Sequence, residues 1–126
     1  YKSINDGKLT IYEPHFRRNY IHINDVVDGI IFSIKNFRRL KANIYNLGLS
    51  SANLTKIMLA NKIKKQLKDL KIEIVKNRKD PDQRDYFVSN KKIEKQGFIA
   101  KTKIEDGISE LIKIFSHSNT KFINNY

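Results

Sequence analysis

Arginine is scarce in this chain, six residues against 19 lysines, and four of the six fall in two short polar stretches. Arg17 and Arg18 open the run Arg17-Arg18-Asn19-Tyr20-Ile21-His22-Ile23-Asn24-Asp25. Arg78 and Arg84 lie in Asn77-Arg78-Lys79-Asp80-Pro81-Asp82-Gln83-Arg84-Asp85-Tyr86. A planar guanidinium offers a fork of N–H donors that grips two phosphate oxygens at once, which the point charge of a lysine cannot do. Two such loops brought together would clamp a diphosphate. The same residues also allow a plainer arrangement, in which Arg78 or Arg84 pairs within the chain with Asp80, Asp82 or Asp85. Both readings stand on spacing alone.

A self-sufficient catalytic centre is not expected. The five glycines are never closer than ten residues apart, so neither a dinucleotide fingerprint nor a P-loop is present. No Tyr is followed four positions later by Lys, and no Ser has the flanking glycines of a nucleophile elbow. His15, His22 and His117 do not fall at metal-ligand spacing. His22 alternates within a β-like run, the position of a structural histidine. With no cysteine there is no disulfide framework, thiolate metal site or cysteine nucleophile.

The elements that must position the arginines follow from periodicity. Strands are predicted at 9–12 and 20–23, the second running directly into a helix capped by Asp25. Val26, Val27, Ile30, Ile31, Ile34 and Phe37 recur at three and four residues, giving a helix over 25–39 with one apolar face. A β-branched and aromatic run at 43–48 ends at Gly48 and reads as a strand. Thr55 caps a helix carrying Ile57, Ala60, Ile63, Leu67 and Leu70 on one side. A strand at 72–75, a polar loop at 77–83 and an extended piece at 86–88 follow. Ser89 caps a small helix over 90–96 that Gly97 terminates. Thr102 and Glu105 have capping-box spacing before a final amphipathic helix through Phe115. The order β-β-α-β-α-β-β-α-α is that of an α/β chain with some parallel pairing. Both long helices carry more apolar surface than a chain of 126 residues readily covers.

Composition bounds the partners. The length and a 40% hydrophobic fraction fit one domain. No apolar run reaches the roughly 18 to 20 residues of a membrane span. Tyr1-Lys2-Ser3-Ile4-Asn5-Asp6 has no initiator Met and no signal-peptide core, so it reads as the interior of a longer, cytoplasmic protein. A formal net charge of +12 invites a basic, non-enzymatic module for RNA or another polyanion, the alternative function. The lysines are scattered over the whole length, however, and accompany abundant Ile and Asn, the mark of an AT-rich coding sequence. Nucleic acid is therefore not the expected partner.

At the arginine clusters the sequence resembles a known family. Arg18-Asn19-Tyr20-Ile21-His22-Ile23-Asn24-Asp25-Val26 is similar to the Arg-Asp-Tyr-Ile-His-Val-x-Asp-Val signature of NAD-dependent nucleotide-sugar epimerases and dehydratases, which are extended short-chain dehydrogenases. In register with it, Tyr45-Asn46-Leu47-Gly48 resembles the family's Tyr-Asn-Leu-Gly strand. Arg78 through Asp82, then Ser89-Asn90-Lys91-Lys92-Ile93 and Gly97-Phe98, resemble Arg-Pro-Gly-x-Asp, Ser-Lys and Leu-Gly-Trp. Ile104-Glu105-Asp106-Gly107-Ile108 is similar to the closing Leu-Glu-x-Gly-Ile helix. Lys79-Asp80-Pro81, Asn19 and Asn90-Lys91 depart from the pattern.

The resemblance implies a C-terminal portion only: residues 1–116 as the substrate-binding region and 117–126 as a polar tail. About 190 preceding residues, an estimate from ordinary domain sizes, would carry the NAD(P) fingerprint and the Tyr-x-x-x-Lys pair. The helix at 25–39 and the strand at 43–48 would belong to that Rossmann domain. A nucleotide-diphosphate sugar would be the ligand, and the parent could form a homodimer. Arg18 matches the first diphosphate arginine, Arg78 the second, and Asp82 the neighbourhood of the ribose-binding acid. Arg84 competes with Arg78, because some members carry Arg-x-Tyr there. This chain alone would bind no cofactor and be inactive.

Overall fold

The computed structural model describes residues 1–76 and 81–117. Its elements are α1 (Lys2–Asn5), β1 (Lys8–Ile11), β2 (Arg17–Asn19), α2 (Ile23–Lys35), α3 (Phe37–Leu40), a 3-10 turn (Ser50–Ala52), β3 (Asn53–Thr55), α4 (Lys56–Gln66), β4 (Lys71–Ile74), α5 (Lys91–Glu94) and α6 (Ile104–His117). β1 and β4 pair in parallel, Lys8 opposite Lys71 through Ile11 opposite Ile74. β2 and β3 pair antiparallel, with Arg17 opposite Thr55 and Asn19 opposite Asn53. The chain is therefore mixed α/β, with α4 as part of the crossover between the parallel strands. Ile11, Leu54, Ala60, Leu70, Ile93, Phe98 and Ile108 form much of the buried core.

Thr55 caps α4 as expected, its Oγ1 accepting from the Met58 N–H at 3.3 Å. Gly97 also meets expectation, with φ of +98°, a conformation costly for any residue bearing a Cβ. The strand expected at 20–23 lies three residues earlier. Tyr20 donates its N–H to the Ala52 carbonyl, and the chain then turns so that His22 can cap α2. His22, not Asp25, is the N-cap: its Nδ1 accepts from the Asn24 N–H at 3.2 Å. The long helix also breaks at Asn36, whose side-chain amide donates to the Phe32 carbonyl at 2.8 Å and competes with helix continuation.

Residues 43–48 form no strand. Among the described residues no neighbour offers them a ladder, and Ile44 is 88% exposed. The Ile44 carbonyl instead accepts from Lys92 Nζ at 2.9 Å. Residues 86–88 likewise join no sheet. Asn90, not Ser89, precedes α5, and it is buried. The Thr102–Glu105 box does not form, because the Thr102 N–H turns to Asp25 while Glu105 meets Lys62 Nζ at 2.5 Å. Residues 118–126 of the expected tail lie outside the described residues.

The apolar stripe of α2 faces outward in part. Ile23, Val27, Ile30, Ile34 and Phe37 are all exposed, and Ile30, Ile34 and Phe37 line a shallow depression with Tyr45 and Leu47. No helix among the described residues is long and apolar enough to cross a membrane.

Candidate functional site

The two arginine clusters meet. β2 delivers Arg17 and Arg18 to one edge of the β2–β3 pair, and residues 82–90 run across that edge without regular structure. A segment with no ladder must satisfy its backbone by other means. Asn53 does so at one point, donating Nδ2 to the Val88 carbonyl at 3.0 Å and accepting the Val88 N–H on Oδ1 at 2.9 Å. Asn46 Nδ2 donates to the Ser89 carbonyl at 3.1 Å. Gly48 allows Asn19 to lie close by: a Cβ there would fall 1.8 Å from Asn19 Oδ1. Asn19 Nδ2 in turn donates to the Leu49 carbonyl at 2.9 Å.

Arg18 is the centre of this arrangement. Its Nη1 donates to the carbonyls of Arg17 and Arg84, and its Nη2 to the Asp82 carbonyl at 3.2 Å. The same Nη2 lies 3.2 Å from Asp82 Oδ2. The Tyr86 ring sits over the guanidinium, with Cζ 5.1 Å from its centroid. Arg84 grips the same carboxylate in a fork, Nε to Oδ1 at 2.7 Å and Nη2 to Oδ2 at 2.9 Å. Arg17 takes Asp85 through its backbone N–H at 2.8 Å and its Nε at 3.2 Å.

The electrostatics follow from these forks. The Arg84 guanidinium and N–H, with Arg18 beside them, hold the Asp82 carboxyl well below the usual carboxylate range. Arg17 does the same to Asp85. Arg17 and Arg84 are each raised by their own carboxylate partner. Burial pushes the Tyr20 hydroxyl up, against the opposing pull of Arg18. Two guanidinium groups thus share one carboxylate.

Of the residues singled out in the sequence, Arg18, Asp82 and Arg84 come together here, while Arg78 lies outside the described residues. Within-chain pairing, the plainer of the two arrangements, is present for Arg84 with Asp82. Sequence reasoning missed Asn53 and Tyr86. Asn53 carried no signal, since an Asn at the start of a short strand has no expected partner 35 residues on. Tyr86 carried one, its place two residues beyond Arg84.

A second polar junction ties α2 to the entry of α6. Asp25 is 4% exposed, and its carboxylate accepts the Lys101 N–H at 2.9 Å and the Thr102 N–H at 3.0 Å. Burial alone would raise its carboxyl; the two N–H groups, the Thr102 hydroxyl and His22 together bring it below its ordinary value. His22 Nε2 meets Glu110 Oε2 of α6 at 2.8 Å, a satisfied structural histidine as expected, although in a cap and not in a strand. Among the described residues no group of His, Asp and Glu could hold a metal ion.

No protein-family model matches the chain. Solved structures do resemble it. An NAD-dependent NDP-hexosamine 5,6-dehydratase, TunA of tunicamycin biosynthesis, superposes with a TM-score of 0.75 at 16% identity, covering 94% of this chain and 38% of that one. A GDP-D-glycero-L-gluco-heptose synthase from Campylobacter jejuni, determined in the presence of NADPH, superposes with a TM-score of 0.69 at 22% identity, covering 91% of this chain and 35% of that one. The chain thus spans little more than a third of either protein. Likeness at such identity speaks for the fold. The mixed α/β fold is one that these two nucleotide-sugar enzymes contain.

Proposed function

We propose that this chain is the nucleotide-sugar-binding portion of an NAD(P)-dependent epimerase or dehydratase, covering residues 1–116. The observation that carries the reading is the convergence of Arg18 and Arg84, from distant parts of the sequence, on the one carboxylate of Asp82, where an anion would sit. The structural likeness to two nucleotide-sugar enzymes supports it. Arg84 would offer its paired Nε and Nη2 donors to the diphosphate and Arg18 its Nη2, with Arg78 as a further candidate from the same stretch of sequence. Asp82 would lie near the ribose.

The chain has neither the glycine turn that receives a dinucleotide nor a Tyr-x-x-x-Lys pair, so its residues do not fit NAD(P). That cofactor belongs to a Rossmann region outside these residues, and cytoplasmic synthesis of sugar nucleotides is the setting. The exposed face of α2, with Ile30, Ile34 and the following Phe37 beside Tyr45 and Leu47, supports a seat for such a region, because an apolar stripe of this width is normally covered. What this chain contributes is positioning: energy from the remote diphosphate fixes where the sugar lies.

Titration of the 126-residue chain with UDP- and GDP-sugars, followed by NMR, tests the reading. Shifts are expected at Arg18, Arg84 and Tyr86, with Arg78 moving if it joins them. No shift at any of these with ligand at millimolar concentration would remove the clamp.

A further inference from the structure

We infer that Asp82 is a built-in occupant of the anion seat, holding Arg18 and Arg84 in the place where a ligand's diphosphate binds, and that ligand entry displaces it. The inference rests on the reading of those two arginines as diphosphate ligands.

Three observations carry it. The first is geometry. Asp82 Oδ1 accepts from Arg84 Nε at 2.7 Å, and Oδ2 is shared between Arg84 Nη2 at 2.9 Å and Arg18 Nη2 at 3.2 Å. Two oxygens of one group bridging two guanidinium planes is the pattern a phosphoryl group makes on the same donors. An anion cannot take these donors while the carboxylate does.

The second is access. The side chain of Arg84 is 75% exposed and that of Asp82 37%, whereas that of Arg18 is 14% exposed beneath them. An incoming anion meets Arg84 first and reaches Arg18 only as the carboxylate leaves. Release of an already hydrated carboxylate to water is cheap, and exposed pairs of this kind are individually weak. A diphosphate carries more charge than the group it replaces, so the exchange runs in its favour.

The third is the mounting. Residues 82–85 belong to no helix or strand, and Arg17 and Arg18 are prominent among the groups holding them. Val88 is fixed separately, by both hydrogen bonds of Asn53. The Asp82 end can swing out while the Val88 end stays anchored. The displaced carboxylate can then accept from ribose hydroxyls, which gives one residue successive roles toward the arginines and the ligand.

Competition of this kind lowers apparent affinity by the fraction of molecules in which the seat is already taken. Inorganic pyrophosphate and UDP are titrated by calorimetry, at low salt, into the full chain, Asp82→Asn, Asp85→Asn and Arg84→Gln. Asp82→Asn is expected to bind pyrophosphate about tenfold tighter than the unaltered chain, and UDP by a smaller margin because the ribose loses that carboxylate. Asp85→Asn removes the same charge from Arg17 and is expected to stay within about twofold. Arg84→Gln is expected to bind more weakly. The Arg84 amide, which donates to Asp82 Oδ1 at 3.2 Å, adds an NMR readout. On ligand addition its resonance in the unaltered chain should move toward its position in free Asp82→Asn. Asp82→Ala is the second variant should the Asn form fold poorly.

Pyrophosphate binding by the unaltered chain that Asp82→Asn leaves unchanged or weakens would overturn the gate and leave the clamp intact. So would an equal gain in Asp85→Asn, which reports charge alone. Failure of both the unaltered chain and Asp82→Asn to bind either probe at millimolar concentration would remove the clamp, and the gate with it.

Discussion

Asp25 and Asp82 each tie a later stretch of chain to the region around β2 and α2, and they do it under opposite conditions. Asp25 is buried and receives partly buried backbone N–H groups at the approach to α6 that have no other partner among the described residues. Asp82 is partly exposed and receives guanidinium groups on flexible stems. In the first case removal of the acceptor strands partly buried donors, which is costly. In the second, water and salt can take over from either partner. The junction at α6 is therefore a fixed joint, and the segment around Asp82 is one that a competing anion can open.

The largest effect should come from the joint. Asp25→Ala is expected to destabilise the chain by about 2 to 3 kcal/mol, because two partly buried N–H groups lose a charged acceptor. Urea unfolding measures it. The same variant fixes the pH dependence. The Asp25 carboxyl is lowered in the folded state, so its contribution is fully present above the unfolded value of about 3.9 and is lost as pH falls below it. The acid limb of the stability profile should flatten in Asp25→Ala; an unchanged limb would mean that other carboxylates govern acid unfolding.

An intermediate effect is expected at Asn53, which fastens the segment without charge. Asn53→Ala should cost about 1 to 2 kcal/mol through the lost Val88 pair, and hydrogen exchange at the Val88 amide should accelerate. Slow exchange retained at Val88 would place the anchor elsewhere. The smallest effect belongs to Asp85→Asn. Its pair with Arg17 is exposed, so the unfolding midpoint should shift slightly at low salt and match the unaltered chain at 0.5 M NaCl, a salt concentration with a Debye length of only about 4 Å. A shift that survives salt would place Asp85 with Asp25 and break the contrast.

Much of this contrast was legible in the residues, though not its geometry. Thr55 and Gly97 were readable because a cap and a left-handed stop depend on a few neighbouring residues. Asp25 was recognised as a capping carboxylate but given the wrong N–H groups. Its own helix begins at Ile23, and the donors it serves lie 76 and 77 residues away. Residues 43–48 have β-prone side chains, yet a strand requires a neighbour, which composition cannot supply. The arginine forks were identified from residue type alone. Their sharing of one carboxylate depends on how β2 passes beneath a segment far along the chain, and no local pattern encodes that.

The outward face of α2 has a consequence for the behaviour of many copies together. Ile30, Ile34 and Phe37 form an adhesive patch, while a net charge of +12 makes every copy repel every other. Colloidal stability is then a balance between a short-range attraction that salt barely touches and a longer-range repulsion that salt removes. The scattered lysines, by that repulsion, hold copies apart at low salt.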